Sequence, residues 1–194
     1  MASRRVCGLM VAWVMVGAAG LLAGCGGGPG VAPSPTPSYS CTPDPGGAPC
    51  TPELAAAQAE EAKAYEEAIF VYQEFTKERS RVAMAGGSPT PTPTMERLAS
   101  GSYLEIISSF LASDYSEGVS SSRPVEIVYV HGMNYSGDSL QLKVCEDGTK
   151  IENLDRQGHS LGMGSKGVIL LDLSRMEGQW VIVRGISLEG ESCM

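Results

Sequence analysis

Among the side chains in the carboxyl-terminal part of the chain that could move a proton are those of Tyr129, His131, Asp155, His159 and Asp172. A general base must reach its substrate within hydrogen-bond distance and carry a pKa shifted toward the working pH. Asp172 stands in the apolar run Val168-Ile169-Leu170-Leu171-Asp172-Leu173, where it shares a strand face with Val168 and Leu170. It either enters a pocket or begins the solvent end of that strand. His131 closes a β-branched run and precedes Gly132 at a turn, which favours the surface. Tyr65 and Tyr72, spaced for one helix face, could line a pocket, although such an aromatic stripe is ordinarily core. Tyr65, Tyr72, Tyr129, His131 and Asp172 are therefore the expected pocket residues. No nucleophile elbow or phosphate loop occurs. No cysteine pair has Cys-x-x-Cys spacing, and His131 and His159 lie far apart, so no metal or other cofactor is expected.

A different chemistry stands at the amino terminus. Arg4 and Arg5 precede an apolar run over residues 6–22, closed by the small residues Ala23 and Gly24. A basic stretch, an apolar core and small exit residues mark a secretory signal peptide. Cys25 follows at once, and Leu22-Ala23-Gly24-Cys25 resembles the lipobox of bacterial lipoprotein precursors. That resemblance implies a diacylglyceryl group on the Cys25 thiol, cleavage between Gly24 and Cys25, and acylation of the new terminus. Each buried methylene contributes about 0.8 kcal/mol, so two or three chains hold a protein stably where one holds it reversibly. The competing readings are an uncleaved membrane anchor, since roughly 18 apolar residues approach the length that spans a bilayer, and plain secretion. The expectation is lipid attachment to the outer face of the cell membrane, with the membrane itself as a partner.

Removing residues 1–24 takes away Arg4 and Arg5, leaving 12 Lys+Arg against 22 Asp+Glu, a mature charge of −10. An acidic domain without a basic stripe is a poor partner for nucleic acid or anionic headgroups. Of six cysteines, Cys7 leaves with the signal and Cys25 takes the lipid, so Cys41, Cys50, Cys145 and Cys193 remain. An even remainder in an exported protein suggests disulfides. Three connectivities are possible, and Cys41 with Cys50 and Cys145 with Cys193 is the expected one. Free buried thiols are the alternative.

Residues 25–50 are rich in Gly, Pro, Ser and Thr and cannot bury enough surface to offset their ordering entropy, so they read as a tether. The same Thr/Pro character returns over residues 88–94, and either stretch could carry O-linked sugar or remain a bare loop. Folded structure is expected over 51–194. Thr51-Pro52-Glu53 supplies a capping hydroxyl, a first-turn proline and an acid for a helix running to about residue 83. Its apolar face is expected at Ala62, Tyr65, Ile69, Tyr72 and Phe75 or Thr76. A short helical segment follows at 95–99. Ser102-Tyr103-Leu104-Glu105 has the form of a capping box for another helix, stopped by Gly118. Strands are expected over 125–131, 140–145, 168–173 and 180–186, with Asp147-Gly148 and Glu177-Gly178 as turns. Residues 150–166, polar and Gly-rich, read as loop. Helices first and strands afterwards predict an α+β domain, with the amino-terminal helices packed on one face of a curved antiparallel sheet.

The order of these elements resembles the lipid-anchored actinobacterial proteins that carry a nuclear-transport-factor-two-like cone. The carriers are Ala64-Tyr65-Glu66-Glu67-Ala68, Met95-Glu96-Arg97-Leu98-Ala99-Ser100-Gly101, Val144-Cys145-Glu146-Asp147, and Trp180-Val181-Ile182-Val183 with the late Cys193. The resemblance covers residues 60–194 and implies a Cys145–Cys193 bridge, but no common activity. Three functions follow as expectations. The first is a non-enzymatic, lipid-anchored module that binds a protein or a small ligand. The second is a cone-fold isomerase or dehydratase using Asp172 or His131 beside Tyr129. The third is a self-associating structural component of a membrane complex.

Overall fold

The computed structural model describes residues 40–42, 46 and 49–193. Gly24 and Cys25, and with them the expected cleavage and lipidation, lie outside the described residues. Three helices come first: α1 Pro52–Met84, α2 Pro93–Leu98 and α3 Gly101–Glu117. Seven strands follow: β1 Ser120–Ser121, β2 Glu126–Met133, β3 Ser139–Asp147, β4 Glu152–Leu154, β5 Ser160–Met163, β6 Lys166–Met176 and β7 Gln179–Ser187. The domain is α+β, with the helices ahead of an antiparallel sheet as the sequence pattern predicts. Among the described residues no helix is long and apolar enough to cross a membrane.

At roughly 1.5 Å per residue α1 is about 50 Å long. Thr51 caps it, its hydroxyl accepting from the Leu54 amide at 3.2 Å. The buried stripe runs Ala64, Ala68, Tyr72, Phe75 and Thr76. Tyr65 and Ile69 are only half-buried and Ala62 is exposed, so the expected face is turned by part of a step. Small alanines let the helix lie close to the sheet there. Thr92 caps α2 at 3.3 Å and also donates to Glu78 Oε1 at 2.8 Å, tying the Thr/Pro loop to α1. The capping box expected at Ser102 does not form. Instead Ala99 bridges Ile182 and the Ser100 amide donates to the Ile182 carbonyl at 2.8 Å, so contact with β7 moves the cap two residues earlier, to Ser100, and the helix starts at Gly101. Gly118 ends α3 in the left-handed region, φ 74°.

The main sheet has the order β2-β3-β6-β7, antiparallel throughout. Its register sets Leu140, Leu142, Val144 and Glu146 opposite Leu173, Leu171, Ile169 and Gly167. This is the face under the helices, and its leucines and Val144 are fully buried. The other face carries Gln141, Lys143 and Cys145 opposite Asp172, Leu170 and Val168. Breaks in register between Ile127 and Tyr129 and between Asp172 and Leu173 are bulges, which add twist and bend the strands. Both edge strands present a glycine to a helix tyrosine. A Cβ on Gly132 would come 2.3 Å from the Tyr65 ring, and one on Gly185 2.7 Å from the Tyr103 ring. The β6–β7 turn is Glu177-Gly178, both at positive φ, which matches the twist of a tight hairpin.

The region expected as loop at 150–166 holds β4 and β5, which join β1 in a second sheet of order β1-β4-β5. No period-two apolar signal announces it, because these strands bury little: β5 is exposed throughout. An aspartate clasp closes the hairpin instead, with Asp155 Oδ1 accepting from the Gln157 and His159 amides, each at 2.8 Å.

Both expected disulfides are present, Cys41–Cys50 with Cα atoms 6.0 Å apart and Cys145–Cys193 with 5.6 Å. The second pins the carboxyl-terminal segment over the outer face of the sheet, where Glu191 also pairs with Lys143. The first ends a segment tied back to α1. Thr42 donates its amide to Gln58 Oε1, and its carbonyl accepts from Gln58 Nε2, both at 2.9 Å. Disulfides of this kind suit an oxidising, extracytoplasmic compartment.

Candidate functional site

The expected pocket residues divide between the two faces of the sheet. Tyr65 and Tyr72 lie on the helix side. Tyr129 and His131 lie on the opposite face, registered against Cys145 and Lys143, with their rings stacked at 4.8 Å. Asp172 is on that face too. Its Oδ1 accepts from Gln141 Nε2 at 2.7 Å, and Arg184 stands 4.0 Å from its Oδ2. Asp172 shares a face with Val168 and Leu170 as the sequence shows, but that is the face turned away from the helices. Asp155 and His159 belong to the hairpin clasp. The backbone amide of His159 is the main reason the Asp155 carboxyl is held below its usual range.

The helix side collects a different set of polar groups. Alternation along β3 carries past Val144 and brings Glu146 onto the apolar inner face. Seven residues separate Tyr72 from Arg79, so both project from the same side of α1. The Tyr72 hydroxyl donates to Glu146 Oε1 at 2.5 Å, and Arg79 Nη2 donates to the same oxygen at 2.7 Å. Arg79 and Glu146 are 16% and 13% exposed, low enough that neither charge would be tolerable without the other. Tyr103 comes in from α3, its ring 5.2 Å from Phe75. Among the described residues its buried hydroxyl has no hydrogen-bond partner, nor does Thr76 Oγ1.

Protonation in this cluster is fixed. Burial, then the Glu146 carboxylate, drives the Tyr72 phenol far above its ordinary range. Burial likewise pushes Tyr103 up to about 12, with Arg79 opposing and Glu146 adding. Burial works against the Arg79 charge, but the Glu146 carboxylate outweighs it and holds the guanidinium firmly protonated. Near neutral pH the cluster presents hydrogen-bond donors and a held cation, with no tyrosine or arginine proton to give away.

Arg79 also lines an open cleft of about 260 Å³ between α1, α3 and the small sheet. Its walls are apolar at Ala83, Ile107, Phe110, Leu111, Val125 and Ile151, and polar at Arg79, Ser80, Asp114, Ser121 and Arg123. Phe110 is 63% exposed at the rim. Among the described residues Arg123 has no ion-pair partner, and no group of three or more His, Cys, Asp or Glu side chains is placed to hold a metal. Sequence reading passes over Arg79, Asp114, Arg123 and Glu146, because a charged residue in an amphipathic pattern ordinarily reads as solvated.

No family model and no curated protein matches the chain. Among solved structures, the intermembrane space region of the chloroplast protein ARC6 is similar at 12% identity, over 61% of this chain and 91% of that one, with a TM-score of 0.44. A protein from Xanthomonas campestris, described as a calcium/calmodulin dependent protein kinase II association domain, is similar at 11% identity. It covers 68% of this chain and 88% of that one, with a TM-score of 0.35.

Proposed function

We propose that this chain is a lipid-anchored extracytoplasmic module that binds a small ligand non-enzymatically in the cleft between α1 and α3. The observation that carries the reading is the cleft itself: apolar walls converge with a few polar groups, the usual make-up of a ligand site. Arg79, the member of the buried cluster that lines the cleft, is held protonated by Glu146, which suits recognition rather than proton transfer. The enzyme reading needs Asp172 or His131 beside the substrate, and both stand on the far face of the sheet from this cleft. The anchor rests on Leu22-Ala23-Gly24-Cys25 and is supported by the two disulfides, which call for export. It places the cleft outside the cell, at the membrane. A thermal-melt screen of residues 25–194 carrying Cys25→Ser, against chemically diverse small molecules, tests the binding claim. Binders whose effect disappears in Phe110→Ala are expected; turnover of a carbonyl substrate, abolished by Asp172→Asn, would overturn it. Mass spectrometry of the native amino terminus tests the anchor, with a diacylglyceryl Cys25 expected and a chain starting at Met1 contradicting it.

A further inference from the structure

The polar groups of the cleft differ in how far their bonding capacity is used. Arg79 has five N–H donors, and one of them is engaged, by Glu146. Its charge is balanced by that carboxylate, so it offers directed donors more than net charge. Arg123 carries an unpaired charge at the rim. Asp114 lines the same cleft from the last turn of α3, without a hydrogen-bond or ion-pair partner among the described residues for its carboxyl. Between these groups the surface is aliphatic and aromatic, supplied by Ile107, Phe110 and Val125.

We infer that the cleft takes an amphiphilic monocarboxylate, its head group held by Arg123 and the free N–H donors of Arg79 and its hydrocarbon body lying on Ile107, Phe110 and Val125. This deepens the reading of the cleft as a ligand site and rests on it. A guanidinium fork matches the two oxygens of a carboxylate, which is why arginine serves so often at such heads. A single unpaired cation in the cleft matches one negative charge. A second would meet the Asp114 carboxylate with nothing left to balance it. An ammonium head would meet the unpaired Arg123 cation and the donor-only fork of Arg79, whose own charge Glu146 already balances, with the Asp114 carboxylate as its one acceptor.

Calorimetric titration of residues 25–194 carrying Cys25→Ser, with decanoate, decylammonium and decanol in turn, tests this. Decanoate is expected to bind and decylammonium not. Arg123→Gln should weaken decanoate about tenfold, the size of one charge-assisted contact. Asp114→Asn should tighten it about fivefold by removing a like charge. Both substitutions are at accessible cleft positions, so circular dichroism melts of each variant confirm that the fold is kept. Tighter binding of decylammonium, or affinity for decanoate that falls in Asp114→Asn, overturns the head-group assignment while leaving a ligand site in place. Binding of decanol equal to decanoate, unmoved by Arg123→Gln, overturns it as well. Failure of all three probes, together with a melt screen that finds other cleft binders, overturns the amphiphile alone. Failure of both removes the ligand-site reading with it.

Discussion

Glu146 accepts from two partners with one oxygen, and that bifurcation makes its neighbours interdependent. Replacing it by Gln leaves the Arg79 cation buried without its counter-charge, at a cost of about 3 kcal/mol. Urea unfolding of Glu146→Gln should show that loss. Tyr72→Phe should lose about 2 kcal/mol, the worth of a hydrogen bond to a charged acceptor. Because both substitutions break the same network, the double variant should lose less than the two single losses added together. Asp114 gives the opposite sign. Burial, and then Glu117, raises its carboxyl above the ordinary range. It also sits at the carboxyl end of α3, where the helix dipole disfavours a negative charge. A raised folded-state pKa means ionisation costs stability as the pH climbs through it. Asp114→Asn should therefore melt higher than the parent at pH 7, and the gap should close as the pH falls below the range of an unfolded carboxyl. Both residues leave traces in the sequence. Continuing the alternation of Leu140, Leu142 and Val144 by one step lands on Glu146, and Arg79 falls two helical turns beyond Tyr72. What the sequence does not reveal is that the two meet, since 67 residues separate them.

At the scale of elements, the parts that bury much apolar surface are legible in the sequence and the parts that bury little are not. The four long strands of the main sheet and the helix cap at Thr51 follow from alternation and from capping chemistry, whereas the cap at Thr92 is hidden in a Thr/Pro stretch that reads as loop. The β4–β5 hairpin is invisible because side-chain clasps and pairing with β1 hold it, and neither leaves a hydrophobic period. Faces are legible only up to a two-fold choice. Period two separates Asp172 from Leu171 and Leu173, but the helices decide which set is inside. The edge glycines make this scale testable. Tyr103 is 4% exposed and locked against Phe75, whereas Tyr65 is half-buried and can swing away. Gly185→Ala should therefore cost about 2 kcal/mol by overpacking, and Gly132→Ala distinctly less. Thermal melts of the two variants check the order.

For the whole molecule, the disulfides do unequal work. Cys145–Cys193 closes a separation of 48 residues and holds the carboxyl-terminal segment over the outer sheet face. On the chain-entropy model that closure is worth about 4 kcal/mol. Replacing both cysteines by serine should lower the denaturation midpoint accordingly, while the same change at Cys41 and Cys50, nine residues apart ahead of the core, should leave the main sheet's stability nearly unchanged. The picture is of an acidic body stapled by two disulfides, with a cleft open between its long helix and its third. Amide NMR of residues 25–194 carrying Cys25→Ser, titrated in turn with small carboxylates, amines and alcohols, tests that picture. Shifts confined to residues 79–83, 107–114, 121–125 and 151 are expected. Shifts centred on Tyr129, His131 and Asp172, or no localised shift with any of the three classes, would contradict it.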